Sequence, residues 1–312
     1  MAEQLRVGFI GAGLMGHGMA KNLIAKGYSL TLVGNRNREP IDHLLSLGAT
    51  EVSTPGEVAA NPALVFLCLP TSAVVADVVL GAGGILQGAH AGLIVADATT
   101  ADPTETKRLA GVLRGHGVSM LDTPLTMTPT EAEQGTLNVL VGGDADDLEK
   151  ARPAILAFAK NIFHVGPLGV AHSLKLINNV MSMSMVALFA EAVTTARKAG
   201  VDVAGLHEVV SAGALNSGLF QKIMAWPMEG DPGGIQFAIK NALKDVSYYN
   251  KIAADSGSTA MIGSTVQQIY ALACAQEEGE THVPKLMDVI SRLNGSQVTD
   301  KPARETGQHV RS

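Results

Sequence analysis

Leu5-Arg-Val-Gly-Phe-Ile10 runs without a break into Gly11-Ala-Gly-Leu-Met-Gly16, and a helical-looking stretch, Leu14–Lys26, follows. An apolar run, a G-x-G-x-x-G spacing and a helix start, in that order, describe a βα turn that receives a dinucleotide. Gly11 permits the tight turn, Gly13 lets the backbone approach a pyrophosphate, and Gly16 lets helix and strand pack closely. The anion would rest on unpaired N–H groups at the helix N-terminus, favoured by its dipole. Gly11, Ala12, Gly13, Leu14, Met15 and Gly16 are therefore the expected cradle. A glycine-rich turn alone can join any strand to any helix; the context on both sides is what favours a nucleotide here.

The next strand bears on which nucleotide. Ser29–Gly34 (SLTLVG) ends in Asn35-Arg36-Asn37-Arg38, with no carboxylate before Glu39. An NAD-selective site places Asp or Glu about 20 residues beyond the glycines, on the ribose hydroxyls, whereas an Arg suits a 2′-phosphate. As loop charges the two guanidinium groups would simply be solvated. Beside a nucleotide they favour NADP(H) over NAD(H), with Asn35 and Arg36 at the site.

The chain has 312 residues, enough for two domains with a core each. It is 46% hydrophobic and 17% charged, ordinary for a globular protein. A net charge of −6 argues against nucleic acid or an anionic membrane surface as partner. Cys68 and Cys274 form no CxxC or metal spacing, so no metal site and a reducing, cytoplasmic location are expected. The start, Met-Ala-Glu-Gln, lacks the pattern of a signal peptide. The most membrane-like stretch, Leu176–Ala196, contains Asn178, Asn179 and Glu191, which suits a buried helix better than a spanning one.

From residue 5 to about 166, β-like runs alternate with helical stretches. After Ser29–Gly34 come Leu64–Leu69, Leu93–Ala98, Val118–Asp122, Leu137–Gly142 and Asn161–Gly166, with amphipathic segments such as Ser72–Leu80 and Pro103–Arg114 between them. Such alternation predicts an α/β, doubly wound and mostly parallel sheet covered on both faces. Past Gly166-Pro167-Leu168-Gly169 only helical periodicity remains: Val170–Ala199, Ala204–Ala212, Gly218–Ala225, Phe237–Ala254, Thr259–Gln276 and Val283–Leu293. The expected organisation is a nucleotide-binding domain over 1–166, an all-helical domain for substrate and dimerisation over 167–295, and a loose polar tail over 296–312. Leu69 and Pro70, closing one strand run, are expected beside the cofactor.

Within the long helix, Lys175, Asn178, Asn179 and Ser182 stand at i, i+3, i+4 and i+7, one polar stripe on an apolar helix. The stripe could be a solvated face. Its Met-rich surroundings (VMSMSMVALFA) favour a lined cleft, because a Lys is rarely buried unless paired or functional.

Four segments, FIGAGLMGHGMAKNL at Phe9–Leu23, DTPLTMTPTEAEQGTLNVLVGG at Asp122–Gly143, GVAHSLKLINN at Gly169–Asn179 and the pair Lys244-Asp245, fall in the order and spacing of the β-hydroxyacid dehydrogenases. The chain resembles that family, which includes 3-hydroxyisobutyrate dehydrogenase, tartronate semialdehyde reductase and sulfolactaldehyde reductase, from residue 5 to about 295. The resemblance implies an N-terminal Rossmann domain, a long interdomain helix and an all-α C-terminal domain; the apolar, Met-rich helix, too hydrophobic for a monomer surface, predicts a homodimer or homotetramer. The resemblance also implies that Lys175 is the catalytic group, donating a proton to the carbonyl oxygen in reduction or taking one in alcohol oxidation. Desolvation can bring a Lys pKa down from about 10.4 towards the working pH. It further implies that Asn179 holds substrate and lysine, that Thr100 contacts the nicotinamide half, and that Lys244 reaches the cofactor.

The substrate loop departs from the family pattern. Where most relatives have Ser-Gly-Gly for the substrate carboxylate, this chain has Thr126-Met127-Thr128, followed by Pro129. Sulfolactaldehyde reductases carry an arginine where Met127 stands. The pocket is thus expected to be narrower and more apolar, for a small hydroxy acid or semialdehyde left open in identity. Two alternatives are an imine reductase on the same scaffold, which usually replaces the lysine with Asp or Tyr, and a non-catalytic NADP-binding module.

Overall fold

The doubly wound sheet announced by the first strand is present. A computed structural model of the chain describes residues 6–297. Its first part comprises β1 (Arg6–Ile10), α1 (Gly16–Ala25), β2 (Ser29–Val33), α2 (Glu39–Ser46), β3 (Thr50–Val52), α3 (Pro55–Ala59), β4 (Leu64–Leu67), α4 (Ser72–Leu80), α5 (Ile85–Gly88) and β5 (Ile94–Asp97). It continues through α6 (Pro103–Arg114), β6 (Ser119–Asp122), β7 (Leu125–Thr126), α7 (Pro129–Gln134), β8 (Leu137–Gly142), α8 (Ala145–Ile155) and β9 (Ala159–Gly166). The strand order is β3-β2-β1-β4-β5-β6-β8-β7, with β9 also on β8. Pairing is parallel from β3 to β6; β8 runs antiparallel to β6 and β7, and β9 returns parallel to β8.

Side-chain alternation explains why both faces are covered. Val7, Phe9, Leu30, Leu32 and Phe66 point to one face and pack with Met19 and Leu23 of α1, Ile41 and Leu44 of α2, and Leu148 and Ala151 of α8. Ile10, Val65, Leu67 and Val95 point to the other and meet Val58 of α3, Val75 and Val79 of α4, and Leu109 and Leu113 of α6. A sheet buried on both faces needs apolar residues at consecutive positions, which is how β4 (LVFL) reads. On one face Phe66 meets Phe158 edge-on, ring centroids 5.3 Å apart. The chain leaves β1 in one direction to build β2 and β3 and in the other to build β4 to β6. The β1/β4 boundary is therefore the topological switch point, outside whose carboxyl ends ligands bind.

The second part is helical: α9 (Val170–Lys198), α10 (Val203–Ala212), α11 (Gly218–Glu229), α12 (Ile239–Asp255), α13 (Met261–Ala275) and α14 (Leu286–Leu293), with short 3₁₀ turns at Pro232–Gly234 and Val283–Lys285. Its core joins Val186, Ala190 and Val193 of α9 to Phe220 and Trp226 of α11, Val246 of α12, Tyr270 of α13 and Val289 of α14. Two buried polar groups there are paired: the Tyr270 hydroxyl donates to the Met183 carbonyl at 3.2 Å, and Trp226 Nε1 donates to Asp288 at 3.0 Å. By length and composition α9 could cross a membrane, and half of its most apolar window is buried inside the protein. The chain divides into two compact units, residues up to Lys175 and residues from Leu176. The tail expected over 296–312 lies, but for its first two residues, outside the described residues.

Two strands had no counterpart in the sequence reading. β3 is a three-residue edge strand, Thr-Glu-Val, without an apolar run, and β7 is only two residues long. Neither buries enough side chain to leave a period-2 pattern.

Candidate active site

The glycine turn has the geometry its spacing promised. Gly11 has φ of 104°, and a Cβ there would overlap the Cys68 carbonyl oxygen at the end of β4. A Cβ on Gly16 would overlap the Gly11 carbonyl oxygen, whereas a Cβ on Gly13 would meet nothing within 4 Å. The turn is thus closed towards the sheet and open at Gly13, which leaves room for a pyrophosphate. The first α1 bond runs from the His17 N–H to the Gly13 carbonyl at 2.9 Å, so the N–H groups preceding it have no partner within the helix. This cradle fits a dinucleotide.

The other cofactor residues expected in the first unit sit at the carboxyl ends of neighbouring strands. The Leu69 N–H donates to Thr99 Oγ1 at 3.0 Å, stitching Leu69-Pro70 after β4 to Thr99-Thr100 after β5. Thr99 is in turn fixed by its N–H to Asp97 Oδ1 at 3.0 Å. Burial pushes the Asp97 carboxyl above its ordinary pKa, with His172 opposing that shift. After β2, Asn35 Oδ1 accepts the Arg36 N–H at 2.7 Å, and the exposed Arg36 side chain has no partner among the described residues. Arg38 differs from Arg36. Its Nη1 and Nη2 donate to Glu51 at 2.6 and 2.9 Å, and Nη2 also donates to Asp42 at 2.9 Å. The two guanidinium groups that look alike in sequence therefore stand in different electrostatic states.

In the substrate loop Thr126 closes β7, paired with Asn138 of β8. Met127 follows with φ of 85° and is 53% exposed. A non-glycine residue held there costs about 1–3 kcal/mol, so this loop keeps a glycine-like conformation without the glycine. Thr128, expected at the substrate, gives its backbone N–H to Glu131 at 2.9 Å and its hydroxyl to the same carboxylate. Both of its donors are thus committed to the start of α7. That helix is locked to α1: His17 Nδ1 bonds Glu133 at 2.6 Å, Lys21 joins the same carboxylate, and Asn22 donates to the Ala132 carbonyl at 3.0 Å.

Lys175 is half-buried on the second turn of α9, the last residue of the first unit. The start of that helix has no local capping side chain. Instead Asp122, fully buried at the end of β6, accepts the N–H of Gly169 at 2.9 Å and of His172 at 2.8 Å. A carboxylate receiving first-turn N–H groups is both a cap and a counter-charge to the helix dipole. Opposite it, His172 is buried, with Nδ1 2.8 Å from Thr106 Oγ1 of α6. Asp122 is therefore a site-building residue that sequence reasoning missed; its only signal was its place in the Asp122–Gly143 segment.

In the second unit, Asn179 is buried and donates from Nδ2 to Asp245 Oδ2 at 2.7 Å. Lys244 Nζ lies 3.0 Å from Asp245 Oδ1 and 5.4 Å from the centre of the Tyr248 ring. The Lys244-Asp245 pair is no surface salt bridge, since the Asp245 side chain is only 1% exposed. Asn179 and Lys244 are thus brought together by one carboxylate. Asn178 stays half-buried, and its carbonyl accepts the Ser182 hydroxyl at 3.1 Å. Among the described residues no group of three or more His, Cys, Asp or Glu gathers as a metal site.

Comparison with known proteins agrees with this geometry. Residues 6–166 match the NAD-binding domain of 6-phosphogluconate dehydrogenase, and residues 169–290 match the NAD-binding domain of NADP-dependent 3-hydroxyisobutyrate dehydrogenase. The chain belongs to the β-hydroxyacid dehydrogenase family. Within it, 3-sulfolactaldehyde reductase of Escherichia coli is 31% identical over 88% of this chain and 91% of its own. A probable mitochondrial 3-hydroxyisobutyrate dehydrogenase of Dictyostelium discoideum is 32% identical over 92% and 91% respectively. The structure of 3-hydroxyisobutyrate dehydrogenase from Salmonella typhimurium shares the fold, with a TM-score of 0.82 over 92% of this chain and 100% of that one, at 23% identity. As a member of the β-hydroxyacid dehydrogenases the protein is an NAD(P)-dependent oxidoreductase of small hydroxy acids.

The Asp122 cap can be tested directly. Asp122→Ala leaves two buried N–H groups without their acceptor and is expected to destabilise the protein by about 2–4 kcal/mol. Asp122→Asn, which keeps one accepting oxygen, should lose less. Urea denaturation of both variants measures this, and an unchanged midpoint for Asp122→Ala would show that Gly169 and His172 find other acceptors.

Proposed function

We propose that this β-hydroxyacid dehydrogenase uses NADP(H) in preference to NAD(H) and interconverts a small β-hydroxy acid and its semialdehyde or keto form, with Lys175 as general acid and base. The observation that carries the reading is the helix stripe: Lys175 half-buried and, one turn on, Asn179 buried and held by Asp245. A bound nicotinamide supplies or accepts the hydride at its C4. Lys175 does the proton work: its ammonium donates to the carbonyl oxygen in reduction, and its neutral amine takes the hydroxyl proton in oxidation. Asn179, with one amide hydrogen committed to Asp245 and its Oδ1 accepting from Asn178 at 3.5 Å, keeps its second amide hydrogen for orienting substrate and lysine. Retention of lysine and asparagine together weighs against an imine reductase and against a non-catalytic nucleotide-binding module.

Arg36 supports the cofactor preference, because its guanidinium is exposed and unpaired after β2, where a 2′-phosphate would arrive. Thr100, beside the stitched ends of β4 and β5, and Lys244 serve the cofactor in the same reading. On the substrate side Thr126 keeps a hydroxyl, Thr128 is committed to α7, and Met127 puts a thioether where relatives use glycine or arginine. This favours a substrate whose group at Met127 is less anionic or bulkier than a carboxylate or sulfonate. Exposed Ile177, Met181 and Leu188 lie along one stripe of α9, which supports a homodimer or homotetramer built on that helix. The unpaired thiols of Cys68 and Cys274 suit a cytoplasmic location.

Three measurements test this reading. Lys175→Met should lower turnover by roughly 10²–10⁴-fold while NADPH affinity and thermal stability hold. Activity near the original level would remove the lysine from the mechanism, and loss of folding would make it structural. Arg36→Ala should cost about 10–100-fold in NADPH efficiency and leave NADH little changed. An unmoved preference, or an enzyme that favours NADH from the start, would overturn the cofactor assignment. Finally, the unaltered enzyme should turn over sulfolactaldehyde poorly, and Met127→Arg should improve it; efficient turnover before the substitution contradicts the assignment of the loop.

A further inference from the structure

The end of β2 is where a dinucleotide fold settles between a ribose hydroxyl and a ribose phosphate, and a carboxylate is in fact present there. It does not come from β2 or its loop. Gly34 occupies the position just past β2, and Glu51 reaches over it from β3, where it pairs with Leu32. A Cβ on Gly34 would overlap both Glu51 Oε1 and Arg38 Nη1, so any larger residue at 34 would displace this pair. The pair lines a cavity of about 380 Å³ together with Asn35, Val52 and Ser53.

Arg38 grips Glu51 through two hydrogen bonds, at 2.6 and 2.9 Å, in the fork geometry that suits a carboxylate. The hydrogen bonds from Arg38 hold the Glu51 carboxyl below its ordinary pKa, so Glu51 is a committed anion. The Arg38 side chain is 46% exposed and that of Glu51 30%, and an ion pair in such a place adds little to stability. What the pair does control is the charge presented to the cavity. With Arg38 in place each Glu51 oxygen accepts one hydrogen bond and the carboxylate's charge is offset, although the guanidinium is shared with Asp42. Without Arg38, a bare carboxylate would face the cavity at the end of β2, the region where an NAD-selective site carries its own acidic residue.

We propose that Arg38 is a specificity-determining residue for the dinucleotide that acts through Glu51, masking a carboxylate that would otherwise repel a 2′-phosphate and accept the ribose hydroxyls. Arg36 then meets the phosphate, and Arg38 makes that meeting possible. The inference rests on the NADP(H) reading above, and it separates two residues that composition treats as one basic cluster. It also explains an otherwise unfavourable arrangement, a carboxylate standing beside the place proposed for a phosphate.

The test is a double-mutant cycle read by binding rather than by turnover. Wild type, Arg38→Met, Glu51→Gln and the double variant are titrated by calorimetry with 2′,5′-ADP and with 5′-ADP, which differ in the 2′-phosphate and in the 5′ group. The same four proteins are then titrated with NADPH and NADH, which differ only in the 2′-phosphate. Arg38→Met should weaken NADPH by roughly ten-fold and tighten NADH, because it exposes a like charge to one and a hydroxyl acceptor to the other. Glu51→Gln alone should change little. The double variant should return to within about two-fold of wild type, since removing the carboxylate removes the need for its mask. A double variant as weak for NADPH as Arg38→Met would show that Arg38 binds the phosphate itself, and unchanged affinities in Arg38→Met would show that the pair does not face the ribose; either result overturns the proposal. Failure of the underlying reading looks different: wild type would bind NADH more tightly than NADPH, and Arg36→Ala would move neither. Rescue of Arg38→Met by Glu51→Gln is scored on the ratio of the two affinities, whatever its starting value. Melting temperatures of all four proteins, expected to be close, confirm that they are folded.

Discussion

A single buried carboxylate holds the end of helix α9 that bears Lys175. Asp122 takes two N–H groups that the helix cannot satisfy for itself, and the cost of removing its charge from water is offset by those bonds and by the helix dipole. The geometry is restrictive. Successive residues on a helix are about 100° apart, so a slip of one position at Gly169 would carry Lys175 to another face. His172 is clamped at the same turn by Thr106, which leaves that rotation little freedom. The lysine's position is thus decided three residues earlier, by contacts with β6 and α6 in which it has no part.

The second unit repeats the device with different parts. Asp245, almost wholly buried on α12, binds the Asn179 amide on one oxygen and faces the Lys244 ammonium with the other. Removing either partner would strand a charge or a polar group in a low-dielectric place, which costs more than the pair itself contributes. A Lys-Asp dipeptide that composition would place on a helix surface is therefore a buried junction between one residue expected at the substrate and another expected at the cofactor. In both units the polar groups proposed for chemistry are held by carboxylates that would take no part in it.

How far the sequence discloses such a site depends on the range of the interaction. Gly11 and Gly16 are legible because close backbone approach excludes every side chain, and Lys175 with Asn179 is legible because helical period sets them on one stripe. The doubly wound sheet follows from strand and helix alternation. The Asp122 cap is not legible, because the local rules for helix starts look to the residues just before Val170, and Pro167-Leu168-Gly169 offers no side-chain acceptor. Glu51 escaped for a related reason: β3 is an edge strand with no apolar pattern, so nothing along the chain says that its carboxylate lies across Gly34. Arg36 and Arg38, two residues apart and both exposed, differ in their partners because Glu51 and Asp42 pair with Arg38 alone. Thr128 shows the converse case, since a hydroxyl placed in a motif also donates to Glu131 of the helix it starts.

The substrate loop shows how such commitments concentrate variation at one position. On one side Thr126 is tied into the sheet by its pairing with Asn138; on the other Thr128 is bound to Glu131, and α7 is fastened to α1 through Glu133. Burial alone would push the Glu133 carboxyl up, but the hydrogen bonds from Lys21 and His17 bring it below its ordinary value, so the fastening is made with a charged group. With both flanks set, the backbone at Met127 must take a positive φ whichever residue stands there. Glycine would take it without cost; methionine takes it at the expense of strain and in return presents a long, flexible, apolar side chain at the loop's tip. Strain at an exposed tip between two rigid anchors gains no packing, so folding by itself does not account for it. Among the loop residues, Met127 is consequently the one whose side chain stands exposed while its neighbours on both sides are held by the sheet and by α7.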